Sequence, residues 1–110
     1  MKAIYLLVLI GISVFAQLVA AADTATFELV IKGHRFVPDS LEVPAGGKFK
    51  LIVKNQDPTP EEFESFELNR EKVVPGNTQA VIFIGPLEPG VYHFYGEFNK
   101  NTAQGKLIAK

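Results

Sequence analysis

Cysteine is absent from the 110-residue chain, and its one methionine is Met1. Disulfides, thiolate metal ligands and cysteine nucleophiles are therefore excluded, and removal of the amino terminus would leave no thioether. A charge excess of either sign is also lacking, with 11 Lys+Arg against 12 Asp+Glu. No electrostatic feature points to nucleic acid as a partner. Missing too are a nucleophile–His–carboxylate arrangement and a phosphate-cradling glycine loop, which argues against hydrolytic and nucleotide-binding chemistry.

What is present divides unevenly. Residues 1–22 hold 18 of the 52 apolar residues but only one charge, Lys2. Ala3 to Leu18 is apolar apart from Gly11, Ser13 and Gln17, and Ala20-Ala21-Ala22 supplies small residues before Asp23. That order is an export signal, with cleavage expected before Asp23 and a periplasmic location for the product. The competing reading is an uncleaved membrane anchor, but the run is short for a bilayer core and no basic stop-transfer cluster follows. With no Cys at the cleavage site, a lipid anchor on cysteine is excluded. Residues 23–110 then form one small domain with a net charge of −2 and room for a single core.

This domain reads as a succession of short strands. Phe27, Leu29 and Ile31 alternate with Glu28, Val30 and Lys32; Phe49, Leu51 and Val53 alternate with Lys48, Lys50 and Lys54. Leu41 to Val43, the apolar run Ala80 to Ile84, Val91 to Tyr95 and Lys106 to Ala109 supply further strands. Turn residues separate them at intervals of about 8–12 residues, the spacing of a β-sandwich or barrel. Tight turns between antiparallel strands are expected at Gly46 and Gly90. Phe94, Tyr92, Phe49, Val53, Ile82 and Ile84 are expected in the core, with His93 facing away from it.

One stretch resists the strand pattern. Thr59-Pro60-Glu61-Glu62 has the form of a capping box, which predicts a helical turn near residues 60–63, followed by a short strand over Ser65 to Leu68. In such a strand Glu64 shares the parity of Phe66 and Leu68 and is aimed inward. Glu61, Glu67 and Glu71 are as readily read as a solvated face.

His34 to Pro38, Leu41 to Gly46, Val53 to Asp57, Leu87 to Tyr95 and Gly105 to Leu107, in that order and spacing, resemble a cupredoxin over essentially all of residues 23–110. Pro58 to Ser65, with Arg70-Glu71-Lys72 and Gly96-Glu97-Phe98, is similar to the iron-uptake-associated cupredoxin-like domains, periplasmic proteins found with ferrous iron permeases. The resemblance implies an all-β greek-key sandwich that binds copper or iron at one end. It also carries departures. A blue-copper centre uses two His, a Cys thiolate and usually an axial Met. Here the resemblance places the Cys position on Gly96, the following His position on Asn99 and the first His position on Glu64. Type 1 copper chemistry is thereby excluded.

An oxygen-rich set remains. Glu61, Glu62, Glu64, Glu67 and Glu71 fall within eleven residues, and Glu97 follows the penultimate strand. Carboxylates suit iron and other hard ions, and an imidazole adds affinity for copper or iron. The sandwich implied by the resemblance brings the loops carrying His34, Glu64 and Glu97 to one end. The candidate metal ligands are therefore Glu64 and Glu97, with His34 and Glu62 completing the set, whereas Glu71 is expected on the far side.

Two functions follow. One is a periplasmic iron- or copper-binding protein assisting iron uptake beside a permease and an iron-binding protein, with ferroxidase-like oxidation an open question. The other is a metal-free sandwich serving as a binding or assembly module.

Overall fold

The computed structural model describes residues 24–110; the signal inferred over residues 1–22 lies outside them. Nine strands run in chain order as β1 (Ala25–Lys32), β2 (Arg35–Val37), β3 (Ser40–Val43), β4 (Phe49–Asn55), β5 (Glu61–Ser65), β6 (Arg70–Val74), β7 (Gln79–Ile84), β8 (Gly90–Gly96) and β9 (Gln104–Ala109). They form a four-stranded sheet ordered β2-β1-β4-β7 and a five-stranded sheet ordered β3-β9-β8-β5-β6. The expected all-β sandwich is present, and no helix occurs among the described residues.

Alternation generates the core. Leu29 and Ile31 on β1, Phe49, Leu51 and Val53 on β4, and Ile82 and Ile84 on β7 point inward from one sheet. Phe63, Phe94, Leu107 and Ala109 meet them from the other. The aromatic centre is a trio. Phe63 stacks on Phe94 with ring centroids 5.0 Å apart and planes at 28°, and Phe36 meets Phe94 edge-on at 4.9 Å. Such pairs add roughly 0.5–1.5 kcal/mol each beyond the area they bury.

Connections depart from the expected hairpins at Gly46 and Gly90. Gly46 does adopt a left-handed φ of 83°, and its N–H donates to the Leu87 carbonyl at 2.8 Å. Yet β3 pairs with β9 and β4 with β1 and β7, so this turn carries the chain from one sheet to the other. The segment leading to Gly90 likewise crosses from β7 to β8. Period-two runs specify two buried inner faces, but they do not say which strands share a sheet. Antiparallel hairpins instead join β1 to β2, β5 to β6 and β8 to β9. In the first, consecutive left-handed residues Gly33 (φ 61°) and His34 (φ 58°) make the reversal that suits strand twist.

The helical turn expected near residues 60–63 is not formed. Glu61 to Ser65 is strand β5, and residues 66–69 are the turn into β6. Local capping chemistry loses to burial here. Phe63 reaches zero exposure only from an extended backbone, and the Asn55 amide fixes the approach by donating to Thr59 O at 2.8 Å and Val74 O at 3.1 Å. The inward face is consequently Glu61, Phe63 and Ser65, while Glu62 and Glu64 face outward, opposite to the parity inferred from Phe66 and Leu68. Phe66 is 93% exposed at the hairpin tip.

Phe63→Ala should lower the unfolding free energy by about 3–5 kcal/mol, because it removes the stacked centre of the trio. Urea denaturation of residues 23–110 checks this. A loss below about 1 kcal/mol would mean that the site collapses around the deletion.

Candidate functional site

Two carboxylate groupings lie back to back on β5. The inward one is Glu61, only 1% exposed. Its Oε1 accepts from the N–H groups of Glu62 and Phe98, both at 2.9 Å, and its Oε2 accepts from Asn99 Nδ2 at 2.7 Å. A Cβ on Gly96 would stand 2.6 Å from Glu61 Cδ and 2.6 Å from the Ala103 methyl. Gly96, Asn99, Ala103 and Glu61 thus converge where the resemblance calls for a copper thiolate and imidazole. The carboxylate beside Gly96 and Asn99 is Glu61 rather than Glu64. The donor set does not fit type 1 copper, since the thiolate position is a glycine whose side-chain volume the Glu61 carboxylate and Ala103 already fill. The vacated centre is a hydrogen-bonded plug.

The outward grouping is anionic. Antiparallel register sets Glu64 opposite Glu71 on β6 and opposite Tyr95 on β8. Carboxylate oxygens of Glu62, Glu64 and Glu71 all lie within 4.8 Å of one another. Like charges directly opposite on neighbouring strands destabilise a sheet. Desolvation of the half-buried Glu64 carboxyl, its hydrogen bond with Glu62 and the charge of Glu71 push its pKa up to about 7. Glu97 continues the same face. Its N–H donates to Glu62 O at 2.9 Å, and its carboxylate is 3.3 Å from Lys100 Nζ. Desolvation, followed by the charges of Glu97 and Glu64, raises the Tyr95 phenol as well. Tyr95, Glu97, Glu62, Glu64 and Glu71 together make an oxygen-only donor surface.

His34 belongs elsewhere. Its N–H and that of Gly33 donate to the two Asp57 oxygens at 2.9 and 2.8 Å, and its ring Nδ1 lies 3.6 Å from Asp57 Oδ2. The His34 N–H is the leading cause of an Asp57 pKa below the ordinary carboxylate range. The imidazole borders a cavity with Phe98, Asn99 and Lys100, whereas the close carboxylate trio comprises Glu62, Glu64 and Glu71. Of the four sequence candidates, Glu62 and Glu64 come together and Glu97 stands beside Glu62. Glu71, expected on the far side, joins them. A hairpin tip at residues 66–69 is what pairs 64 with 71, and reading a helical turn near residues 60–63 hid it. The sequence likewise leaves Glu61 a solvated-face candidate, because a buried acid cannot be recognised before its donors on the β8–β9 loop are in place.

A family model for the cupredoxin-like domain matches residues 3–109 of the chain. A protein of Rickettsia prowazekii (strain Madrid E) is 47% identical over 81 residues, 74% of this chain and 65% of that protein. The chain thus spans just under two thirds of that relative's length. Among solved structures, auracyanin A, a blue copper protein of Chloroflexus aurantiacus, is similar with a TM-score of 0.68 at 16% identity, covering 79% of this chain and 99% of its own. Amicyanin of Paracoccus versutus gives 0.61 at 16% identity, covering 81% and 83%. The metal-binding domain of the Cu(I)-exporting P-type ATPase CopA of Streptococcus pneumoniae D39 gives 0.65 at 15% identity, covering 77% and 84%. At such identities the likeness is one of fold.

Two outcomes are expected. Glu61→Ala strands two backbone N–H groups and the Asn99 amide, and should cost roughly 2–4 kcal/mol in urea denaturation; a near-neutral effect would show that water replaces the carboxylate. Glu64 holds its proton in the folded state where the unfolded chain has released it, so its contribution to stability falls as pH rises from 4.5 to about 7. In chelator-treated buffer the melting temperature of Glu64→Gln should therefore gain on wild type across that window. Parallel curves for the two proteins would refute the shift.

Proposed function

The chain belongs to the cupredoxin-like domain family, and on that footing we propose that it is an exported metal-binding protein whose ion sits on the outer face of the five-stranded sheet. The observation that carries this reading is the convergence of Glu62, Glu64 and Glu71 oxygens within 4.8 Å. Two strands contribute these oxygens, with Tyr95 on β8 and Glu97 in the loop that follows it at the margin. Clustered carboxylates that repel one another without a cation become a ligand set once one arrives, and the energy of their repulsion is recovered on binding. Oxygen donors favour hard ions such as Fe³⁺, Mn²⁺ and Ca²⁺, and they also accept Fe²⁺ and, more tightly, Cu²⁺.

Iron is the cargo favoured by the resemblance of Pro58 to Ser65 and Gly96-Glu97-Phe98 to the iron-uptake-associated domains. In this reading the protein holds iron outside the cytoplasmic membrane for a permease, with a periplasmic iron-binding protein as a further partner. Export rests on Lys2, the apolar run to Leu18 and the Ala20-Ala21-Ala22 cleavage signal. An open, solvent-facing set of carboxylates suits an ion that must be picked up and released. Binding is the activity that the arrangement supports, and His34 takes no part in it because its ring lies beside Asp57, outside the carboxylate trio.

Titration of residues 23–110 with Fe³⁺, anaerobic Fe²⁺ and Cu²⁺ tests the proposal. Metal should raise the melting temperature by mass action, equivalent to about 2.7 kcal/mol at a hundredfold excess over the dissociation constant. Glu64→Gln and Glu71→Gln should each abolish the shift, Glu97→Gln should reduce it, and His34→Gln should leave it intact. Copper-loaded protein should be pale, without the intense visible band of a copper–thiolate bond. A wild-type protein that no metal stabilises would favour the metal-free binding module instead.

A further inference from the structure

The run Ala80 to Ile84 is apolar throughout, yet only alternate residues enter the core. Ile82 and Ile84 are buried, while Val81 and Phe83 are 43% and 63% exposed on the outer face of the four-stranded sheet. Register sets Ile52 on β4 beside Val81, and Val30 on β1 beside Val37 on β2; between these pairs Ile52 is opposite Glu28 and Val30 opposite Lys54, so the two apolar pairs meet on the diagonal. Val37 is 54% exposed. The result is a diagonal apolar band that, among the described residues, lies on the outer face of this sheet.

Cations surround the band. Lys50 pairs in register with Phe83 and holds its Nζ 5.8 Å from the ring centroid. Lys32 and Arg35 sit opposite one another at the other end. Lys54 lies between these ends, 3.1 Å from Glu28, the one carboxylate at an outward position of this sheet's strands. Arg70 approaches from the rim, its Nε donating to Phe83 O at 2.9 Å. The opposite side of the sandwich carries Glu62, Glu64, Glu71 and Glu97. Outward positions of the four-stranded sheet thus carry a positive excess and those of the five-stranded sheet a negative one, although Lys106 stands among the latter, Lys100 lies 3.3 Å from Glu97, and Val73 and Val91 are exposed on that side too.

We infer that the outer face of the four-stranded sheet docks on an anionic lipid surface. Phe83, Val81 and Val37 would enter the headgroup boundary, and the Lys and Arg stems would let their charges reach lipid phosphates. Charge complementarity selects this occupant. Face-to-face pairing with a second copy would set like charges against each other. Pairing with the acidic face of another copy is heterologous and open-ended. A lipid surface, by contrast, needs only apolar bulk amid unspecific positive charge. Docking in this way turns the carboxylate surface away from the lipid and toward solvent. The inference is independent of whether that surface binds metal.

Co-sedimentation of residues 23–110 with vesicles of phosphatidylcholine alone, and of phosphatidylcholine with phosphatidylglycerol, tests it. Binding is expected to the mixed vesicles and to weaken with added salt. Each charge removed from the face should weaken partitioning about fivefold, and the reversal Lys50→Glu by more. Phe83→Ser, an exposed change with little effect on folding, should weaken it independently, and circular dichroism confirms that both variants retain the fold. Glu64→Gln, on the other side of the sandwich, should bind like wild type. Equal binding to both vesicle types, or wild-type binding by both face variants, would overturn the inference. So would self-association in analytical ultracentrifugation that Phe83→Ser abolishes, which would assign the face to a second copy.

Discussion

The carboxylate of Glu61 closes one end of this sandwich. Four groups from β5, the end of β8 and the β8–β9 loop meet around it: the N–H groups of Glu62 and Phe98, the Asn99 amide and the Gly96 backbone that leaves it room. A buried carboxylate is tolerable only when donors replace its lost water, and three do so here. In a blue-copper protein a metal ion links the same strand and loop. Here an internal acid–amide contact joins them. No buried side-chain nitrogen or oxygen among the described residues lacks a partner.

With Glu61 filling the interior, the clustered carboxylates lie on the outer face. Because β5 must send Glu61 and Phe63 inward, Glu62 and Glu64 are left on the outer face, and β6 brings Glu71 opposite Glu64. The same strand that seals the interior therefore assembles the carboxylates at the surface. Their mutual repulsion is tolerated because the sheet beneath them is anchored elsewhere. Ser65 Oγ donates to His93 O at 2.6 Å, and Glu67 accepts from the His93 N–H at 2.8 Å, so the hairpin tip is tied to β8 by side chains where backbone pairing has ended.

The charge difference between the two outer faces has a related origin. Each sheet has one face committed to the core, and the other is free to take whatever charge the alternating positions supply. On β1 those positions are Thr26, Glu28, Val30 and Lys32, and on β4 Lys50, Ile52 and Lys54; on β5 they are both glutamate. Separate strands, each unremarkable alone, give one outer face a positive excess and the other a negative one once the sheets are stacked.

Much of the fold was legible in the sequence. Period-two alternation in residues 27–32 and 49–54, the Gly and Pro punctuation and the core set Phe49, Val53, Ile82, Ile84 and Phe94 all follow from local patterning, because a strand buries every second residue wherever it lies. The absence of Cys decided by itself that no thiolate-bound copper forms. The sequence alone did not decide which strands share a sheet, since the connections at Gly46 and Gly90 look like hairpin turns until both sheets exist. Nor did it decide the parity of β5. A capping box and the apolar Phe66 favoured a helical turn and an inward Glu64, and only the packing of Phe63 against Phe94 and Phe36 reversed that. Once the parity was set, Glu61 became the internal plug, Glu71 became the neighbour of Glu64, and His34 was left with Asp57. These are long-range consequences of burial, and tertiary structure determines them because local preference is weaker than the burial of a phenylalanine.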